Sequence, residues 1–420
     1  MKNLKNKLLE KLLGKLASKI LEKQKPQVIG ITGSVGKSTT KEMIAAVLED
    51  FFLIGKNDKN FNTEIGVPLA ICGSRPPRNF WGWPAVFMVA LKNIFINKNY
   101  PKILVLEMGA DKQGDIKYLS QLTQPLVGVL TNVGISHLEK FKTVKNLAKE
   151  KGELLASLPV GGWAVYNSDN EECRKIAAKT KAEKISFGLG EEAVVRGTDI
   201  YLLYSDELED GWPKIPVGTG FKINYQGKIL PVRLNGGVGL PAVYGALAAF
   251  SVGLYFQLNP VKMVAALQKK LELERRLRFK KGIKGTYLID DCYNSAPASL
   301  NAALDVLQEI PAKRKVAVLG DMLELGSEEE LRHREVGQRL AREGVFFWAV
   351  GKRMKWAQEE YEKILPTSAL EKMAWFADSE EAGKALQSWL EPGDIVLIKG
   401  SFSMAMDKVV AEVEYSVKGE

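Results

Sequence analysis

Cysteine is scarce: three residues (Cys72, Cys173, Cys292) in a chain of 420, far apart and with no C-x-x-C pair. That excludes a disulfide framework and a cysteine-built zinc site, and a reducing, cytoplasmic setting is expected. Acidic residues are missing from 65–106, where Arg75, Arg78, Lys92, Lys98 and Lys102 give a local charge of +5. Charge-free runs are few, and the longest is Leu234 to Val261. That run is long enough to span a bilayer. Gly236, Gly237, Gly239, Pro241, Gly245 and Gly253 interrupt it, so it reads as a glycine-rich turn followed by a fully buried helix.

What is present describes a soluble globular chain, with 46% hydrophobic and 26% charged residues. Disordered, collagenous and polytopic membrane classes are excluded, and two or three domains are expected. The net charge is 59 − 50 = +9. Residues 1–25 carry eight lysines and two glutamates, a local +6, so with the +5 of 65–106 the remaining residues sum to −2. A nucleic-acid binder spreads its basic residues through the folded body, so no nucleic-acid partner is expected.

Both basic segments are also apolar. In 1–25, Leu4, Leu8, Leu9, Leu12, Leu13, Leu16, Ile20 and Leu21 recur at helical spacing with lysines on the other face, a basic amphipathic helix. Phe80 to Leu91 is an apolar run with two tryptophans, too short to span a bilayer but suited to the headgroup layer. Two expectations stand side by side. Either 1–25 and 80–96 make peripheral contact with the inner face of the cytoplasmic membrane, or both are packed on the fold.

The rest alternates short apolar strands with amphipathic helices. Val28–Ile31, Ile103–Leu106, Val127–Leu130 and Trp163–Tyr166 read as buried parallel strands. The alternation restarts with Tyr287–Ile289, Val316–Leu319, Phe346–Val350 and Ile395–Ile398, after the charged run Glu272–Arg278. The expected fold is α/β: a P-loop ATPase domain with a parallel sheet over 26–272, bearing an apolar Trp-rich insertion at about 75–98, then a Rossmann-like α/β domain over 273–420.

The sharpest chemical signal is Gly30-Ile-Thr-Gly-Ser-Val-Gly-Lys-Ser-Thr-Thr40. A buried strand enters a glycine-rich loop, and Lys37 and Ser38 open a helix. Backbone N–H groups of such a loop cradle phosphates, the lysine neutralises them, and the hydroxyl binds magnesium. Ile31 stands where the usual phosphate-loop pattern has its first glycine.

That variant resembles the phosphate loop of the Mur ligases, the ATP-dependent amide ligases that build the peptidoglycan stem peptide. Further motifs follow in the family's order: Asn60-Phe-Asn-Thr-Glu-Ile-Gly-Val-Pro68, Leu106-Glu-Met-Gly-Ala110, Thr131-Asn-Val-Gly-Ile-Ser-His-Leu-Glu139 and Ala148-Lys-Glu-Lys-Gly-Glu153. Asp290-Asp-Cys-Tyr-Asn-Ser-Ala-Pro297, Gly320-Asp-Met-Leu-Glu-Leu-Gly326 and Lys399-Gly-Ser401 continue into the second half. The set looks most like those members that add D-alanyl-D-alanine, and it covers about residues 26–415.

The resemblance implies an acid–D-amino-acid ligase, a monomer, using ATP and magnesium at two sites. A muramoyl-peptide carboxylate would become an acyl phosphate and be joined to D-Ala-D-Ala or a similar amine. By the same resemblance Gly33, Ser34, Gly36, Lys37, Ser38, Thr39, Arg276, Asp291 and Asn294 bind ATP. Ser38 and Glu107 hold magnesium, His137 holds a second ion, and Lys151, if carbamoylated, is a further magnesium ligand. Lys37, Lys151 and His137 carry catalysis, and Asn60, Asn62, Thr63, Lys399 and Ser401 meet substrate. Lys151 precedes Asn167 by 16 residues, close to the family's spacing, and Lys149 competes for the role.

There are departures. Family members carry a UDP-sugar-binding domain ahead of the phosphate loop, whereas 25 residues precede the expected ATPase domain. The family's adenine-reading Asn is Gly245, its upstream His-Asn is Pro241-Ala242, and its K-G-S-R-S is Lys399-Gly-Ser-Phe-Ser403 with Phe402 replacing a charge. A ligase-derived ATP-binding subunit or membrane scaffold with reduced catalysis is therefore the alternative expectation, and a folylpolyglutamate-synthetase-like activity a weaker one.

Overall fold

The computed structural model describes residues 2–58, 61–77, 79–205, 214–269, 276–365 and 372–415. Among them, the strands in chain order are β1 (Gln27–Thr32), β2 (Ile54–Lys56), β3 (Ile103–Glu107), β4 (Val127–Leu130), β5 (Trp163–Asn167), β6 (Glu183–Gly188), β7 (Val195–Tyr204), β8 (Pro216–Tyr225) and β9 (Lys228–Asn235). A second set follows: β10 (Arg278–Lys281), β11 (Tyr287–Asp291), β12 (Lys315–Gly320), β13 (Phe346–Val350), β14 (Met373–Phe376) and β15 (Ile395–Lys399).

The first sheet runs β2-β3-β1-β4-β5-β6-β7-β8-β9, parallel as far as β7 and antiparallel through β7, β8 and β9. Its parallel strands are apolar throughout because both faces are covered; every residue of β3 and β4 is buried. Met43, Val47, Val243, Leu247 and Phe250 from the helices Lys37–Leu48 and Leu240–Tyr255 cover one face. Ile116, Leu119, Leu147 and Leu154 from the helices Asp115–Thr123 and Val144–Ala156 cover the other. The charge-free stretch is thus a turn and a buried helix, packed in the first core.

The expected parallel sheet forms the body of the first domain, and its far edge continues as an antiparallel meander. Over residues 231–235 of β9 exposed and buried positions alternate, which suits a sheet with one wet face, whereas β7 mixes buried, half-buried and exposed positions. The second sheet runs β10-β11-β15-β12-β13-β14, parallel except for β10.

The N-terminal helix Lys2–Gln24 packs Leu13, Ala17 and Ile20 inward. Beside it lies the helix Trp83–Phe95, which follows a single 3-10 turn and buries Val86, Ala90 and Ile94. Leu9 and Leu13 meet Trp83, Val86 and Phe87 at one end. At the other, Gln24 Nε2 donates to the carbonyls of Asn93 and Asn97 at 2.6 and 2.9 Å, so the two helices run alongside each other. Among the described residues no helix is long and apolar enough to cross a membrane.

From β1 the chain moves outward to β2, returns through β3, and crosses to β4 on the other side of β1. Such a reversal opens a crevice at the carboxyl ends of β1, β3 and β4. In the second sheet, the carboxyl ends of β11, β15 and β12 are likewise neighbours.

Candidate active site

The loop after β1 turns into the helix Lys37–Leu48 at Gly36, whose φ of 83° is left-handed and costs glycine nothing. The loop after β4 ties it down. Ser34 N donates to the Asn132 carbonyl at 2.7 Å, and Thr131 Oγ1 donates to the Val35 carbonyl at 2.6 Å. Lys37 Nζ donates to the Gly33 carbonyl at 2.9 Å. Burial pushes this ammonium down, the Glu107 carboxylate opposes that, and Arg276 adds to it.

Glu107 is the last residue of β3, in register with Ile31 of β1. Ser38 Oγ donates to its Oε2 at 2.7 Å, and Asn62 Nδ2 to its Oε1 at 2.9 Å. Burial alone would raise its pKa. Lys37, the Ser38 hydroxyl, Lys41 and Asn62 outweigh burial and hold the carboxyl below its ordinary range. Asn62, expected at the substrate, thus supports Glu107 directly. Thr63 lines the same cleft and accepts from Gly66 N at 3.3 Å. Asn60 lies outside the described residues.

Lys151, on the helix Val144–Ala156, is fully buried and donates to the Gly33 carbonyl at 2.8 Å, the same oxygen Lys37 uses. Burial, then Lys37, drives its pKa well below the ordinary lysine value. Lys149, two residues earlier, is exposed. His137 Nδ1 lies 2.5 Å from Glu324 Oε2 of the second domain. Both are left-handed non-glycine residues, with φ of 54° and 64°, a form of backbone strain that collects at functional sites. The carboxyl of Glu324 is held down chiefly by that histidine and also by Lys140.

The second domain faces this cluster. Arg276 Nη2 donates to Ser38 Oγ at 3.1 Å, and the guanidinium lies 4.3 Å over the Tyr293 ring. Asp291 and Lys399 end β11 and β15 in direct register. Lys399 Nζ is 2.6 Å from Asp291 Oδ2 and 2.7 Å from the Asn294 carbonyl. Burial pushes the Asp291 carboxyl up, against the pull of Lys399. Ser401 is buried, accepts from Leu323 N at 2.8 Å, and stands behind the cleft.

A cleft of about 560 Å³ joins these parts, with Ser34, Lys37, Glu107 and Lys151 on one side and Arg276, Asp291, Asn294 and Lys399 on the other. Four residues that sequence reasoning missed shape it. Asn57 is fully buried; its amide donates to the Phe61 and Glu107 carbonyls at 2.8 and 2.9 Å and accepts from Glu107 N at 2.9 Å. Lys41 Nζ anchors the Asn57 carbonyl at 2.6 Å. Tyr244 donates to Asp169 Oδ2 at 2.7 Å on the wall beside Gly245.

Gly245 has a packing reason. A Cβ there would meet Met43 Sδ at 2.9 Å and Thr39 Cγ2 at 3.2 Å, where the two helices cross. Gly245→Asn is expected to cost about 1–3 kcal/mol by overpacking, read as a lower Tm by circular dichroism. An unchanged Tm would show that the helices yield.

A glycine-rich loop with a lysine and a carboxylate-held hydroxyl, facing Arg276 and Lys399 across one cleft, defines the class: a two-domain α/β protein of the phosphate-loop kind. The chain belongs to the Mur ligase family. The Mur ligase middle domain matches residues 31–76 and 87–229, and the Mur ligase, glutamate ligase domain matches 275–402. The UDP-N-acetylmuramoyl-tripeptide--D-alanyl-D-alanine ligase of Synechocystis sp. is 30% identical over 392 residues, covering 92% of this chain and 74% of its own. The crystal structure of MurF from Acinetobacter baumannii superposes with a TM-score of 0.78 at 26% identity, covering 96% of this chain and 80% of its own. MurF ligase from Thermotoga maritima in complex with ADP gives a TM-score of 0.76 at 25% identity, covering 96% and 83%.

Proposed function

We propose that the protein is an ATP-dependent amide ligase of peptidoglycan-precursor synthesis. It activates the carboxylate of a muramoyl-peptide as an acyl phosphate and joins it to D-Ala-D-Ala or a similar amine. The carrying observation is the Lys37–Ser38–Glu107 cluster, which faces Arg276 and the Asp291–Lys399 pair across one cleft. Relatives named as ligases over most of the chain's length favour this reading over an ATP-binding subunit or scaffold with reduced catalysis.

In this reading the loop amides and Lys37 hold the β- and γ-phosphates of ATP, and Arg276 reaches them from the second domain. A carboxylate oxygen of the peptide attacks the γ-phosphorus, and ADP leaves. The incoming amine then attacks the acyl carbon, loses a proton, and expels phosphate. Lys37 and Arg276 stabilise charge that spreads over the transferring phosphoryl oxygens. Asp291 and Lys399, locked in register, present a fixed wall for the nucleotide and the amine.

Magnesium fits the donors present. Ser38 and Glu107 offer hard oxygen atoms, and Asn132 Oδ1 and Ser136 Oγ in the same cleft are buried with no hydrogen-bond partner in the described structure. Ser38 and Glu107 would hold one ion, and His137 with a carbamoylated Lys151 a second. Bound there, magnesium would neutralise phosphate charge. The protein is read as a monomer of the cytoplasmic side.

The test is ADP release with purified protein and a panel of muramoyl-peptides, with and without D-Ala-D-Ala. Ligation should need both substrates, with one ADP formed per amide. ATP hydrolysis that ignores every peptide and amine in the panel would overturn the reading.

A further inference from the structure

The helix Trp83–Phe95 is apolar on both sides, but only one side has a core to face. Val86, Ala90 and Ile94 are buried against the fold. On the opposite side Met88, Leu91, Phe95 and the adjoining Ile96 are 68%, 47%, 75% and 70% exposed, and Trp81 at the preceding turn is 86% exposed. On the helix alongside, Leu8 and Leu12 are also exposed, at 70% and 42%. Isolated exposed apolar residues are ordinary; a run of them along one helix face marks an interaction surface.

Charge says what covers it. Residues 65–106 contain no Asp or Glu, and Lys92 and Lys98 stand exposed at the carboxyl end of the apolar face. The lysines exposed between residues 7 and 25 add a basic flank on the neighbouring helix. The N-terminal helix also carries Glu10 and Glu22, but lysines outnumber them, and a face of apolar side chains with a net basic flank matches a sheet of acyl chains under anionic headgroups. The middle-domain match to the Mur ligase family also breaks off between residues 76 and 87, so Trp81 and the start of this helix belong to a stretch outside the family's shared pattern.

We infer that this two-helix face is a membrane-docking surface that holds the protein on an anionic lipid bilayer as a peripheral protein, Met88, Leu91, Phe95 and Ile96 entering the headgroup boundary and the lysines contacting the lipid phosphates. None of these side chains lines the nucleotide cleft, so docking and ligation are separable.

The experiment is co-sedimentation of the full chain with vesicles of phosphatidylcholine alone or with added phosphatidylglycerol, at low and high salt. Binding should be at least about ten-fold stronger to the anionic vesicles and fall with salt. Met88→Ser/Phe95→Ser and, separately, Lys92→Glu/Lys98→Glu should each weaken it about ten-fold or more while leaving ATP turnover in solution unchanged. Absence of binding to anionic vesicles at low salt would overturn the inference, as would equal binding by both variants. Light scattering supplies the remaining alternative. A concentration-dependent dimer that the Met88→Ser/Phe95→Ser variant abolishes, with no vesicle binding, would assign the face to a second copy of the chain instead.

Discussion

Replacing Glu107 with alanine is expected to lower ligation by about 10²-fold or more, with Lys37→Ala doing the same, because each acts on charge that grows in the transition state. Glu107 is the anion around which the phosphate-loop side of the cleft is arranged. It orients the Ser38 hydroxyl at 2.7 Å, and Lys37 is the largest favourable influence on its charge. Without it, Ser38 and Asn62 lose their common acceptor and the lysine loses its nearest countercharge. The fold should survive. The carboxylate ends β3 on the lining of a cleft rather than inside either hydrophobic core, and water entering the cleft can satisfy the two donors left behind. Circular dichroism should therefore match wild type while single-turnover ADP formation collapses. Near-normal turnover in Glu107→Ala would remove the magnesium and phosphate role from this residue.

The phosphate loop was legible in the sequence because everything it needs is contiguous: strand, glycines, lysine and hydroxyl lie within Gly30–Thr40. The central strands were legible for a related reason, since burial on both faces leaves uninterrupted apolar runs at β1, β3, β4 and β5. β7, β8 and β9 were not. The pairing of β7 with β8 shifts register between Thr198 and Tyr201, so no clean period of two survives along β7. The supports of the site escaped for want of locality. Asn57 meets Glu107 across 50 positions, and His137 meets Glu324 across the domain boundary. Nothing near Asn57 or Glu324 in the chain announces a partner that distant; only the folded sheet order does. Gly245 shows the opposite case, a residue read from the sequence as a loss of adenine contact that the structure explains by helix packing.

Lys151→Ala is expected to be almost inactive, down by about 10²-fold or more, and partly restored by formate or acetate. The reasoning starts from an awkward arrangement. Two lysines, Lys37 and Lys151, donate to one backbone oxygen, that of Gly33, at 2.9 and 2.8 Å. Lys151 is fully buried, and its nearest acceptor is a neutral carbonyl. An ammonium in that position meets both a desolvation cost and the repulsion of Lys37, so its pKa falls and the uncharged amine is favoured. An uncharged amine is the form that attacks carbon dioxide: a nitrogen–carbon bond forms, one carbon–oxygen π bond opens, one proton leaves, and the neutral amine becomes a carbamate anion. The repulsion with Lys37 then turns into attraction, and an anionic oxygen pair enters the cleft where phosphate charge must be offset by metal. Lys149, exposed on the same helix, has neither the burial nor the neighbour, and Lys149→Ala should retain wild-type activity. Carbon-13 NMR of the protein in labelled bicarbonate supplies a readout independent of turnover. A carbamate resonance present in wild type and in Lys149→Ala but absent in Lys151→Ala is the expected result; wild-type turnover in Lys151→Ala, or the resonance persisting in it, would remove the role from this lysine.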